Sequence, residues 1–214
     1  MAKLPPIPDR LVKIDILTAQ DHYHLTNADD CYFLWEWDAA PYAESATTDF
    51  IGNFQRDPKF KDSYWPWEFK KKAIRHAAAA VCRTILPEWQ TSIFVPVPPS
   101  KIKSDPRHDS RLIDTLRLAS SAIRESHELV LQLNNTESRQ KNISPEARAE
   151  NWTVDAGLLA KTPEHFVIFD DLLTGGSHFA AMKIVLARDF PRVPVSGLFL
   201  ARRVRPSQTA DPSS

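Results

Sequence analysis

Two acidic residues and the chain's one adjacent glycine pair lie close together near the carboxyl end of the sequence. Asp170 and Asp171 follow the apolar run 166–169, and the residues after Leu173 are Thr174, Gly175, Gly176, Ser177 and His178. A strand that passes through such a loop into a helix brings backbone N–H groups to a helix N-terminus, where they favour a phosphate. Carboxylates beside them can accept hydrogen bonds from ribose hydroxyls or bind a divalent cation. The segment therefore predicts a sugar-phosphate site.

The plainer alternative is an ordinary strand-to-helix connection in which an Asp caps the helix and Gly makes the turn. The chain has 5 Gly beside 17 Pro in 214 residues, whereas roughly 15 Gly would be expected from average usage. Because glycine is scarce elsewhere, its pairing directly after two acids favours ligand binding.

The segment resembles the signature with which type I phosphoribosyltransferases (PRTases) bind 5-phosphoribosyl 1-pyrophosphate (PRPP). That signature has four apolar residues, two acids and a Thr/Gly loop. The resemblance implies that Asp170 and Asp171 hold the ribose hydroxyls, while the loop 174–178 holds the 5′-phosphate. Gly175 and His178 stand where the family commonly has Thr, which removes two hydroxyl groups from the loop.

Further residues are similar to the ComF-like subgroup of that family, so the resemblance spans 91–203. Residues 94–101 resemble its first strand and following loop, which implies that Ser100 and Lys101 meet the pyrophosphate. Residues 139–151 lie where the family carries a flexible loop. The cysteines of the zinc ribbon that often precedes ComF-like domains are missing.

The resemblance implies a PRTase-like protein that binds PRPP, a related sugar phosphate or a nucleotide, with Mg²⁺ brought by the ligand. If it is an enzyme, it transfers phosphoribose to a nitrogen acceptor and releases pyrophosphate; no residue is assigned as general base. The alternative is a non-catalytic binding or regulatory protein on the same fold, acting with a nucleic-acid-processing or phage-defence partner.

The elements that must position these residues follow an alternating pattern. Apolar runs predict strands at 92–97, 128–133, 166–169 and 195–201, and periodicity predicts helices at 109–125 and 177–188. The polar stretch 134–152 is predicted to be a long loop. Repeated β-α-β order with continuous apolar strands indicates an α/β fold, a PRTase-like parallel sheet flanked by helices, over residues 91–205.

Residues 1–90 are predicted to form an aromatic-rich α+β region that serves as a hood or a partner surface. They hold all four Tyr and five of the six Trp. Strands are expected at 11–18 and 31–37, and a helix from Pro66 to Leu86. The tail 206–214 is expected to be disordered, and a protein partner or homo-oligomer remains open.

The run Lys70–Lys72, near Trp65 and Trp67, permits a basic-aromatic nucleic-acid surface. A solvated helical turn with the Trp side chains packed below it is the plainer interpretation. Lys+Arg and Asp+Glu are equal at 27 each, so the whole chain has no net attraction to nucleic acid or anionic lipid.

The sequence also argues against a metal site, a membrane helix and a disulfide scaffold. His22, His24 and Cys31 lack the spacing of a metal site, and no metal is assigned to them. No apolar run approaches the roughly 18 residues of a membrane helix, and two Cys do not make a disulfide scaffold. The sequence predicts a soluble, cytoplasmic protein without a membrane partner.

Overall fold

A computed structural model describes residues 3–14, 21–38, 45–136 and 143–204. Its strands are β1 (Val12–Lys13), β2 (Asp30–Asp38), β3 (Ile93–Pro96), β4 (Glu125–Ser126), β5 (Val130–Gln132), β6 (Trp152–Val154), β7 (Phe166–Leu173) and β8 (Val195–Val204). Six of them form one sheet in the order β1-β2-β8-β7-β3-β4, in which only the β1–β2 pair is antiparallel. The strands β5 and β6 form a separate antiparallel pair.

Five α-helices accompany the sheet in the described residues: α1 (Ala46–Phe54), α2 (Tyr64–Thr84), α3 (Arg111–Leu118), α4 (Pro145–Glu150) and α5 (Ser177–Asp189). The first three pack in sequence, α1 on α2 and α2 on α3, and α4 packs on α5. The prediction of a mixed α/β chain with a mostly parallel sheet flanked by helices is confirmed.

The centre of the sheet is buried, as the apolar strand patterns predict. Residues 166–171 of β7 and 196–201 of β8 are all buried. Strands covered on both faces need continuous apolar sequence, which explains why these two were visible as unbroken runs. Of the strand predicted at 11–18, the structure shows only Val12–Lys13 as β1, and residues 15–18 lie outside the described residues.

Two predicted elements differ from the structure. The helix predicted over 109–125 ends at Leu118, because Ala119 closes the last turn and two serines follow, which favour turns over helix interiors. The stretch 134–152, predicted as a loop, contains α4. Ser144 caps this helix by accepting from the Ala147 N–H at 3.2 Å, and Pro145 opens its first turn. Six residues are too few to give a periodic signal.

The aromatic-rich region contributes a strand to the same sheet as the carboxyl-terminal half. β2 runs parallel to β8 along its length, from Asp30 opposite Ser196 to Asp38 opposite Val204. The helix predicted from Pro66 begins two residues earlier, at Tyr64. None of the helices in the described residues is both long and apolar enough to span a membrane.

The lysine run on α2 is divided between interior and solvent. Lys70 is only 2% exposed, whereas Lys71 and Lys72 are exposed. Trp65 is 68% exposed, so it does not pack below the lysines. The interpretation of a uniformly solvated turn over packed Trp side chains is therefore wrong for Lys70 and for Trp65.

Candidate functional site

The predicted acidic pair lies within β7, in the middle of the sheet between β8 and β3. Asp170 is 4% exposed and Asp171 is 5% exposed. Neighbouring residues of a strand point to opposite faces of the sheet, so the two carboxylates meet different sets of helices. A buried carboxylate is costly unless it is paired, and each of the two has a partner of its own.

Asp171 is held by Arg111, at the start of α3. The Nε and Nη2 atoms of Arg111 donate to Asp171 Oδ2 at 2.9 and 2.7 Å. Arg111 Nη1 donates to Asp109 Oδ2 at 2.6 Å, and that carboxylate also accepts from Lys70 Nζ at 2.8 Å. Two cations and two anions therefore alternate from α2 through α3 to β7.

Burial and the neighbouring carboxylates shift the pKa values of the two cations of this ion network in opposite directions. Burial alone would lower the pKa of Arg111, but the negative charges of Asp171 and Asp109 outweigh it and raise the pKa. Burial lowers the pKa of Lys70 despite the attraction of Asp109. Lys70 Nζ also donates to the carbonyls of Phe54 and Arg56, so all three ammonium hydrogens have acceptors.

Asp170 faces the other helical layer and has a looser partner. Its Oδ2 accepts from His178 Nδ1, in the first turn of α5, at 2.9 Å, and its Oδ1 accepts from the Asp171 N–H at 2.8 Å. The His178 side chain is 43% exposed. Arg148 of α4 lies near enough to attract Asp170, although burial lowers the pKa of Arg148 on balance.

The loop after β7 leads into α5 in the way the sequence predicts. Gly176 is the N-cap of α5 and has φ = 86°, a left-handed conformation that glycine adopts without the strain of a Cβ. In the part of the chain that the structure describes, no side chain caps the helix. Backbone N–H groups of its first turn therefore have no side-chain acceptor, and such groups favour an anion.

A segment of the aromatic-rich region, residues 21–26, lies on this loop and is called the covering segment. The His22 side chain, fully buried, donates from Nδ1 to the Thr174 carbonyl, and the His24 N–H donates to the Gly175 carbonyl at 2.9 Å. A Cβ on Gly175 would lie 2.7 Å from the Tyr23 ring. The missing side chain of Gly175 thus makes room for the chain itself.

Thr174, Gly175, Tyr23, Asp21 and Arg203 line a cavity of about 160 Å³ beside the covering segment. We call it the polar cavity. It lies at the carboxyl ends of β7 and β8, the edge at which open parallel sheets bind ligands.

The two candidates from the upstream loop have other contacts. Lys101 Nζ donates to the Thr136 carbonyl at 3.0 Å, and the Ser100 carbonyl accepts from the Thr136 N–H at 2.8 Å. Lys101 also lines a second, mostly apolar cavity of about 160 Å³ between the loop after β3, the start of α3 and β5. Thus the structure brings Ser100 and Lys101 to residue 136 and brings Asp170, Asp171 and the loop 174–178 together.

The carboxylates of the pair are a poor set of ligands for a resident cation. Asp171 Oδ2 already accepts two N–H groups of Arg111, and both oxygens of Asp170 accept hydrogen bonds. Across the described ranges, no group of three or more His, Cys, Asp and Glu is arranged to hold a metal ion. Mg²⁺ would fit here only as the companion of phosphate oxygens, which it prefers.

Sequence reasoning missed the partner of Asp171 and the residue that bonds to the loop carbonyl. Arg111 is 60 residues away from Asp171, and His22 is 152 residues away from Thr174. The one available signal was the compact charged stretch Asp109–Arg111 at a helix start.

The chain matches none of the protein-family models, and no curated protein matches it significantly.

Proposed function

We propose that this protein binds a phosphorylated sugar or a nucleotide, with PRPP as the representative ligand, on a PRTase-like fold. One observation carries the proposal. The buried Asp170–Asp171 pair lies near the carboxyl end of a central parallel strand, and a loop with Gly176 in left-handed conformation leads from it to a helix N-terminus that no side chain of the described residues caps. Phosphate and ribose hydroxyls need those two kinds of partner next to each other.

Asp170 is the carboxylate that a ribose would use. Its partner His178 is partly solvent-exposed, so a ligand hydroxyl can replace the imidazole at Oδ2 and restore the hydrogen bond that is broken. Asp171 is unsuited to this exchange, since Arg111 holds it through two charge-assisted hydrogen bonds that converge on Oδ2. Mg²⁺ bound to the ligand's phosphates would neutralise part of their charge.

The ion network favours a protein that binds the ligand without transferring its phosphoribosyl group. Phosphoribosyl transfer depends on positioning the ribose and stabilising developing positive charge near C1. Arg111 is a permanent cation that neutralises Asp171, so this carboxylate is not available to stabilise such a charge. We therefore propose a binding or regulatory protein that acts through a partner, in preference to a transferase.

Calorimetric titration with PRPP and MgCl₂ tests the proposal. We expect saturable binding that depends on Mg²⁺ and that weakens at least about tenfold in Asp170→Asn, because a charge-assisted hydrogen bond is lost. Asp189→Asn, an exposed acid at the end of α5, is the matched control and keeps full affinity. Absence of binding to the unaltered chain would overturn the proposal.

A pyrophosphate assay distinguishes the binding protein from the transferase. The protein is incubated with PRPP, Mg²⁺ and a mixture of nucleobases, and released pyrophosphate is measured against a heat-treated sample. Retained PRPP binding without release supports the binding protein. Sustained release that is lost in Asp170→Asn would instead identify a transferase.

A further inference from the structure

Arg203 places a cation at the wall of the polar cavity. Its side chain is exposed, and among the described residues it has no ion-pair or hydrogen-bond partner. Its neighbour Arg202 is engaged, because Arg202 pairs with Glu36 and stacks over the Phe33 ring at 4.6 Å. Alternation along β8 directs these two arginines to opposite sides, so of the two only Arg203 lines the cavity.

The face of the loop above the glycines is already filled. Tyr23 lies on Gly175, and Leu25 lies 3.1 Å from where a Cβ on Gly176 would be. Hydrogen bonds from the His22 side chain and the His24 backbone N–H to the loop carbonyls hold the covering segment in place. An anion approaching this loop therefore meets the uncovered side of Thr174 and Gly175, which is the polar cavity.

The lining groups select a ligand that is anionic at one end and carries hydroxyls at the other. The guanidinium of Arg203 can form two parallel hydrogen bonds to a phosphate, and the Thr174 hydroxyl can donate a third. The carboxylate of Asp21 repels a phosphate placed beside it but accepts from sugar hydroxyls. The cavity volume of about 160 Å³ admits a small molecule.

We propose that the polar cavity binds the phosphate end of a sugar phosphate, with Arg203 as its anion partner and Tyr23 and Asp21 as further binding residues. This proposal rests on the proposed function and adds residues from the end of β8 and from the covering segment. The N-terminal region is then part of the ligand site rather than only a cover for it.

Titration with ribose 5-phosphate, with inorganic phosphate as a second ligand, tests this assignment. Arg203→Ala is expected to weaken ribose 5-phosphate binding at least about tenfold, and Arg203→Lys to keep part of the affinity. The matched control is Arg192→Ala, an exposed arginine in the turn before β8. We also expect ribose 5-phosphate to bind more tightly than inorganic phosphate, because of Asp21.

The outcomes distinguish this inference from the proposed function. If the unaltered chain binds PRPP or ribose 5-phosphate and Arg203→Ala binds equally well, the polar cavity is not the phosphate site and the proposed function stands. If the unaltered chain binds neither ligand, both are overturned. If Arg192→Ala weakens ribose 5-phosphate binding as much as Arg203→Ala does, the loss reflects only the lower positive charge of the protein. That result would also overturn the assignment.

Discussion

Asp170 and Asp171 are adjacent and almost equally buried, yet their surroundings differ. Asp171 faces α2 and α3, where Arg111, Asp109 and Lys70 extend its ion pair into a network of four charges. Asp170 faces α4 and α5, where its partner is a half-exposed imidazole. The comparison indicates that one carboxylate of the pair serves the fold and the other is suited to exchange its partner for a ligand.

The largest loss of stability is expected for a substitution of Asp171. Asp171→Asn leaves Arg111 with one fewer counter-charge in a mostly buried position, and breaking a buried pair in this way costs about 3 kcal/mol. Urea unfolding followed by circular dichroism measures the loss. Arg117→Met on the same helix, at a side chain that is 63% exposed, is the control and changes stability by less than about 1 kcal/mol. Equal losses in both variants would refute the special role of the network.

The second prediction concerns the helix start that positions His178 for Asp170. Gly176→Ala is expected to destabilise the protein by about 2 kcal/mol, since its φ of 86° is strained for alanine and the Cβ would press on Leu25. Gly52→Ala, inside α1 with no atom of the described residues within 4 Å of the new Cβ, is expected to stabilise the protein by about 0.5 kcal/mol or more. Thermal unfolding compares the two. Opposite signs support the assignment, and a neutral Gly176→Ala contradicts it.

Acid is expected to lower the free energy of unfolding through His22, which lies in the covering segment. Burial lowers the pKa of His22 below its value in the unfolded chain, and Nε2 of His22 is buried without a hydrogen-bond partner in the described residues. The unfolded chain therefore binds more protons below about pH 6.5, and stability falls as the pH is lowered from there.

His22→Asn removes the titrating group while keeping a donor near the Thr174 carbonyl. The slope of unfolding free energy between pH 7 and 5 should decrease by at most about 1.4 kcal/mol per pH unit. His76 and His165, whose pKa values burial also lowers, retain the remaining slope. An unchanged slope in His22→Asn would show that His22 does not contribute.

The smallest effect is expected for Asp170→Asn. The amide oxygen can still accept from the Asp171 N–H, and only the bond from His178 weakens, at a side chain 43% exposed. A loss of no more than about 1 kcal/mol in urea unfolding is expected. A loss as large as that of Asp171→Asn would erase the contrast between the two carboxylates.

The sequence carried the local parts of this arrangement. The apolar run 166–169, the two acids and the glycine pair predicted β7, the start of α5 and their junction, because each depends on residues close in the chain. The partner of Asp171, by contrast, lies 60 residues away in the sequence. Lys70 looked like one of three solvated lysines, and Tyr23 gave no sign that it would lie on Gly175. Tertiary packing decided both.

The position of β8 between β2 and β7 has a consequence for biosynthesis. Asp30 of β2 bonds to Ser196, 166 residues later in the chain, so β2 has no parallel partner until that part of the polypeptide has left the ribosome. Pairings so distant in sequence form slowly. Until translation reaches β8, β2 and β7 each present an unpaired edge, and a nascent chain in this state is prone to aggregate unless a chaperone shields it.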